Sequence, residues 1–136
     1  GHLAFTVFGD ADPYWAEVYE AFNAFLAPAD RLTDSRPVHP DLCTSAILLD
    51  TVRAAGFGDV QCIEEVHPIR FADVDQWHTW SWSVGLRGSW LKIPEDRRSQ
   101  ARAAVLGAVA RRASSDASIT EHFAIRIAVG RKNEHS

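Results

Sequence analysis

The chemistry this 136-residue chain could do is concentrated in one segment, where Trp77, Trp80, Trp82 and Trp90 surround His78. Indole rings offer large apolar area with one N–H donor, which suits a flat or hydrophobic small molecule. An imidazole with an ordinary pKa of about 6.5 is the natural base for removing a proton from such a ligand near neutral pH. His78 is therefore the first candidate for catalysis and His122 the second. Trp77, Trp80 and Trp82 are candidate ligand contacts, and so are Tyr14, Trp15 and Tyr19 on an earlier aromatic stretch. Trp77, Trp80, Trp82 and Val84 cannot share one helical face, so part of this aromatic surface must point away from a simple core stripe. Each candidate also has a plain structural use: tryptophans cover sheets, and histidines accept hydrogen bonds.

Other chemistries lack their residues. His39 and His67 share no metal-ligand spacing with each other or with a cysteine pair, and no metal is expected. Cys43 and Cys62 are too few for a disulfide framework and stand among apolar residues, which reads as small buried side chains. Glu64 and Glu65 are neighbours on one strand and point to opposite faces, so they cannot work as a pair. No nucleophile elbow or phosphate loop is present.

Composition sets the class. Hydrophobic residues make up 46%, charged residues 24%, and the formal net charge is −4. These are ordinary globular values, sufficient for one domain over 1–136 with a core of its own. The mild acidity argues against nucleic acid, since Arg97, Arg98, Arg102, Arg111 and Arg112 are interleaved with acids and read as the polar face of a helix. No apolar run approaches the ~18 residues of a membrane span, and no leader pattern opens the chain. The expected setting is cytoplasmic.

The elements that must position these residues follow from pattern. Leu3 to Phe8 (LAFTVF) is a strand apolar on both faces, as in a sheet interior. Asp12-Pro13 signals a helix start, and the aromatic stripe runs on from Tyr14 to Leu26 until Ala27-Pro28. Residues 28–41, with three prolines, form a lid-like loop. A second helix runs from Leu42 or Thr44 to Ala55, with Gly56 as its left-handed stop. A strand from Val60 to about His67 ends at Pro68. Asp73 or Asp75 caps a third helix through the tryptophan segment, and Pro94 opens a fourth. The last strand alternates Ile119, Glu121, Phe123, Ile125, Ile127 and Val129 with Thr120, His122, Ala124, Arg126 and Ala128; the first set, Glu121 apart, is its apolar face. The polar tail 131–136 is expected to fray.

Four pieces in this order carry a resemblance. GHLAFTVFG resembles the fifth sheet strand of class I S-adenosylmethionine-dependent methyltransferases, and LLDTVRAAGFGDV, from Leu48 to Val60, resembles their next helix and strand. RFADVDQWHTWSWSVGLRGSW resembles the insertion before the final strand in bacterial small-molecule methyltransferases. ITEHFAIRIAVGRK resembles that final, antiparallel strand. The resemblance covers nearly the whole chain and implies the C-terminal, substrate-side part of a Rossmann-like fold.

The expected fold class is thus α/β, with about three strands, four helices and an incomplete sheet in which the final strand lies between the other two. The strands 60–67 and 119–129 are expected to pair antiparallel. The family binds S-adenosylmethionine through a glycine-rich turn between a strand and a helix. Here Gly56-Phe57-Gly58 follows a helix and precedes a strand, so no cofactor-binding residue carries over and none is expected to bind this chain alone. The implied function is the substrate-binding half of a small-molecule methyltransferase, inactive in isolation, with the 28–41 loop and the Tyr14–Leu26 helix over an aromatic or hydrophobic substrate. Two alternatives stand beside it: a binding module derived from such an enzyme, and a structural half that docks on a partner. One open sheet edge would favour a homodimer.

Overall fold

The computed structural model describes residues 1–33, 42 and 44–132. The expected prolines and acids of 34–41, as well as Cys43, His39 and the tail 133–136, lie outside the described residues. The described elements are β1 (His2–Phe8), α1 (Trp15–Asn23), α2 (Ser45–Ala54), β2 (Phe57–Phe71), α3 (Val74–Ser81), α4 (Leu86–Lys92), α5 (Arg98–Ala110) and β3 (Ile119–Lys132), with short 3-10 turns at Pro28–Asp30 and Glu95–Arg97. The class is mixed α/β with a three-stranded antiparallel sheet in the order β1-β3-β2. The final strand in chain order is the central one, as the sequence predicts.

Among the described residues five α-helices stand where four were expected. The glycines at 85 and 88 do not merely loosen the third helix. Helix α3 stops at Ser81, Gly85 takes the N-cap position of the new α4, and Gly88 lies within α4. Helix α1 begins two residues later than Asp12-Pro13 suggests: Tyr14 is its N-cap and no side chain caps it. Pro68 does not stop β2, which runs on to Phe71; a strand at the edge of a sheet tolerates a residue without an N–H. Arg131 and Lys132, expected in a frayed tail, belong to β3, where Arg131 pairs with His2 and the Lys132 N–H donates to the Gly1 carbonyl at 2.7 Å.

Other local signals act as the sequence predicts. The Thr44 hydroxyl caps α2 by accepting from the Ile47 N–H at 3.2 Å, and the Asp73 carboxylate caps α3 by accepting from the Gln76 N–H at 2.8 Å. Gly56 ends α2 at φ 86°, a left-handed conformation that costs glycine nothing.

The chain divides into two compact units, one of 1–12, 35–67 and 122–136, the other of 13–34 and 68–121. In the first, α2 covers one sheet face. Leu48 and Val52 are buried on Ala128, with Leu3, Phe5, Val7, Leu42, Phe57, Val60 and Cys62 around them. Small residues on β3 permit this approach: a Cβ on Gly130 would meet Phe57 at 3.2 Å and Val52 at 3.3 Å. In the second unit α1 lies against α5. Its core holds Trp15, Val18, Tyr19, Phe22, Trp77, Trp90, Ile93, Val105, Val109 and Ile119.

The inward face of β3 differs between the units. Ile119 and Glu121 are buried in the second, whereas Arg126, Ala128 and Gly130 are the buried positions in the first. The apolar set Ile125, Ile127 and Val129 is only half-buried there. The physical reason is the helix: α2 seats on the side that offers Ala and Gly, leaving the larger residues on the opposite face. Pairing places Thr6 opposite Ile127 and Ala4 opposite Val129, so these share that second face with exposed Phe8.

Candidate functional site

The tryptophan segment and α1 build one aromatic assembly in the second unit. Trp15, Trp77 and Trp80 form a triangle with ring centroids 6.2 to 6.5 Å apart. Tyr19 stands 5.8 Å from Trp15, and Phe71 stands 5.1 Å from Trp80. Beyond the end of α3, Trp82 stacks on Trp90 at 5.8 Å and 10°. The conflict over one helical face is resolved by ending the helix: Trp82 is the C-cap of α3 and turns to Trp90. Trp15, Tyr19, Trp77 and Trp90 are buried, while Trp80 and Trp82 keep partial exposure.

His78 sits at the edge of this assembly. The Trp82 indole N–H donates to its Nε2 at 3.2 Å, and its ring meets Trp90 edge-on at 5.3 Å. An accepting Nε2 leaves the proton of the neutral ring on Nδ1. Burial pushes the imidazole pKa down, the Arg102 guanidinium adds to this, and Asp75 opposes it. The ring is neutral near pH 7 and one nitrogen is already occupied by an indole.

Tyr14 stands over a cation. Its exposed ring lies 3.9 Å from the guanidinium carbon of Arg112. The Arg112 side chain, expected on a polar helix face, is instead buried, and its NH1 stands 3.9 Å from Glu121 Oε2. Glu121 is fully buried and its Oε1 accepts from the Trp77 indole N–H at 3.2 Å. The sequence carried half the signal: Glu121 is the one acid in the apolar register of β3. Arg112 carried none, because it follows another arginine at a helix end.

The first unit holds a second polar group, which sequence reasoning missed except for His122. Asp12 is buried, and its Oδ2 lies 3.4 Å from the His122 backbone N–H, which donates to it, and 3.6 Å from His122 Nδ1. The imidazole itself is 52% exposed. Nearby in this unit, Arg126 donates from Nε to Glu64 at 2.9 Å and from NH2 to Asp10 at 3.0 Å. The Ser45 hydroxyl donates to Glu64 at 2.5 Å and accepts from the Cys62 thiol at 3.5 Å. Hydrogen bonds from Ser45 and then Arg126 hold the Glu64 pKa below the usual carboxylate range. Glu65 pairs elsewhere, with His67 at 2.7 Å, as opposite faces demand. These residues sit at the carboxyl end of β1, where Gly9 donates to the Ala124 carbonyl at 2.7 Å.

Among the described residues no group of three His, Cys, Asp or Glu side chains could hold a metal. No helix among them is long and apolar enough to cross a membrane. No family model matches the chain, and no curated protein matches it.

Proposed function

We propose that the chain is the acceptor-binding half of a class I, S-adenosylmethionine-dependent small-molecule methyltransferase acting in the cytoplasm. The supporting observation is the sheet: the order β1-β3-β2, with the last strand in sequence running antiparallel to β1 at the centre. The resemblance implies this order for the end of that fold, with further strands beyond β1. Two features agree with such an extension. β1 lies at the sheet edge with no charged residue or proline in HLAFTVF, the devices that normally block an edge. The face opposite α2 also exposes Phe8 and Ile63.

The residues present do not fit the cofactor. Gly56 terminates α2 at positive φ instead of opening a helix, and no other glycine pair stands between a strand and a helix. The methyl donor therefore belongs to another segment or partner, and this chain's residues act on the acceptor. The aromatic assembly suits an aromatic or hydrophobic acceptor.

Calorimetric titration with S-adenosylhomocysteine tests the reading. The chain alone is expected to give no heat, and the chain joined to the segment encoded before Gly1 is expected to bind at micromolar concentration. No binding by the joined protein would sink it. On its own, the chain is expected to form a homodimer through the β1 edge; a monomer mass by light scattering would refute that part. A binding module that never meets a methyl donor is the second reading. The missing glycine turn favours it, and a start codon just before Gly1 would select it.

A further inference from the structure

We propose that Arg112 is the anchor of a binding site for a small aromatic carboxylate, with Tyr14 as its movable cover. The Arg112 side chain is 9% exposed, and none of its three nitrogens has a hydrogen-bond partner among the described residues. A guanidinium carries five N–H donors and cannot shed its charge near neutral pH, so removing it from water without acceptors is expensive. Among the described residues its charge is faced by Glu121, whose Oε2 is 3.9 Å from NH1. That distance is too long for a hydrogen bond. It balances the charge and leaves the donors of the fork unused.

A planar donor fork calls for a planar pair of acceptor oxygens, and a carboxylate is the matching group. The surroundings select an aromatic one. The Tyr14 ring lies over the guanidinium at 3.9 Å, and Glu121 is held from its other side by Trp77, itself 6.3 Å from Trp15. Within this cluster Arg112, Glu121 and Trp77 are buried, whereas Tyr14 is 56% exposed. Tyr14 also precedes α1 without a side-chain cap. Its exposure makes it the cover of the proposed site.

The proposal rests on the helical unit alone and goes beyond the methyl-acceptor reading. If both hold, the carboxylate is the handle by which the acceptor is gripped. The test uses no methyl donor, so the two readings fail separately.

The experiment is titration of the full chain with benzoate, followed by tryptophan fluorescence and calorimetry. Neutral benzamide and inorganic phosphate serve as comparison probes. Benzoate is expected to bind and benzamide to bind at least tenfold more weakly. Arg112→Gln is expected to weaken benzoate at least tenfold. Because that change leaves Glu121 buried without its cation, the paired variant R112Q/E121Q is measured beside it, with near-ultraviolet circular dichroism to confirm native packing. Tyr14→Ala, an exposed substitution, is expected to bind benzoate with a faster on-rate. The proposal is overturned if benzoate does not bind the wild-type chain, if the folded R112Q/E121Q variant binds it as well as wild type, if benzamide binds equally, or if phosphate binds in its place.

Discussion

At the scale of single residues, the partners of a side chain decide what chemistry it can do. His78 and His122 look alike in sequence, each beside one aromatic neighbour. The folded chain separates them: an indole N–H donates to His78, and the Asp12 carboxylate lies 3.6 Å from the half-exposed His122 ring. His78→Ala leaves the Trp82 indole N–H without its acceptor and is expected to cost about 1 kcal/mol in chemical denaturation, while His122→Ala, at a half-exposed ring, costs less. Asp116 gives a second prediction. Its carboxylate accepts from the Ser118 hydroxyl at 2.6 Å and the Ser118 N–H at 3.1 Å, and Arg70 donates to it at 2.6 Å. Hydrogen bonds from Ser118 first, then Arg70, bring its pKa down to about 2. A carboxyl depressed in the folded state stabilises above its unfolded pKa and loses that stabilisation as pH falls through the folded one. Melting temperatures between pH 2 and 6 should therefore fall toward acid more steeply in wild type than in Asp116→Asn. The same turn holds Ala117 at φ 67°, so Ala117→Gly is expected to raise stability by up to about 1 kcal/mol in chemical denaturation.

At the scale of elements, the strands and most helices were legible because their signals are local. Thr44, Gly56 and Asp73 fix helix ends through a hydroxyl, a positive φ and a carboxylate that act within four residues. The division of α3 from α4 was not legible, since the Trp-rich run reads as one helix until Trp82 finds Trp90. The inward face of β3 was misread for a different reason. Alternation in a strand gives two sets of residues, and only the covering helix decides which set is inside. Near the carboxyl end of β3 that helix is α2, and the notch at Gly130 admits it. Gly130→Val should cost about 1–3 kcal/mol by denaturant titration, because the added side chain meets Val52 and Phe57. Ala128→Asp should unfold the first unit, while Ile127→Asp, on the other face, should leave it folded; circular dichroism of the two variants separates them. The polar sites were hardest to foresee. Arg112 with Glu121, and Asp12 with His122, are joined only through tertiary contact, across 9 and 110 residues of sequence.

At the scale of the whole molecule, the sheet ends at β1 with an edge that carries no blocking residue. The bonds Gly9 N–H to Ala124 O and Lys132 N–H to Gly1 O fix the odd positions of β1 as its hydrogen-bonded positions with β3. The backbone groups of His2, Ala4 and Thr6 are thereby directed away from β3. This edge gives a time signature. In a lone chain, deuterium should enter β1 with a two-residue rhythm, fast at 4 and 6, slow at 3, 5 and 7. A strand added alongside, from a second copy or from a cofactor-bearing half, would slow the even positions and erase the rhythm. The protein's own amides thus become a clock for completion of the sheet, readable one residue at a time before any substrate is known.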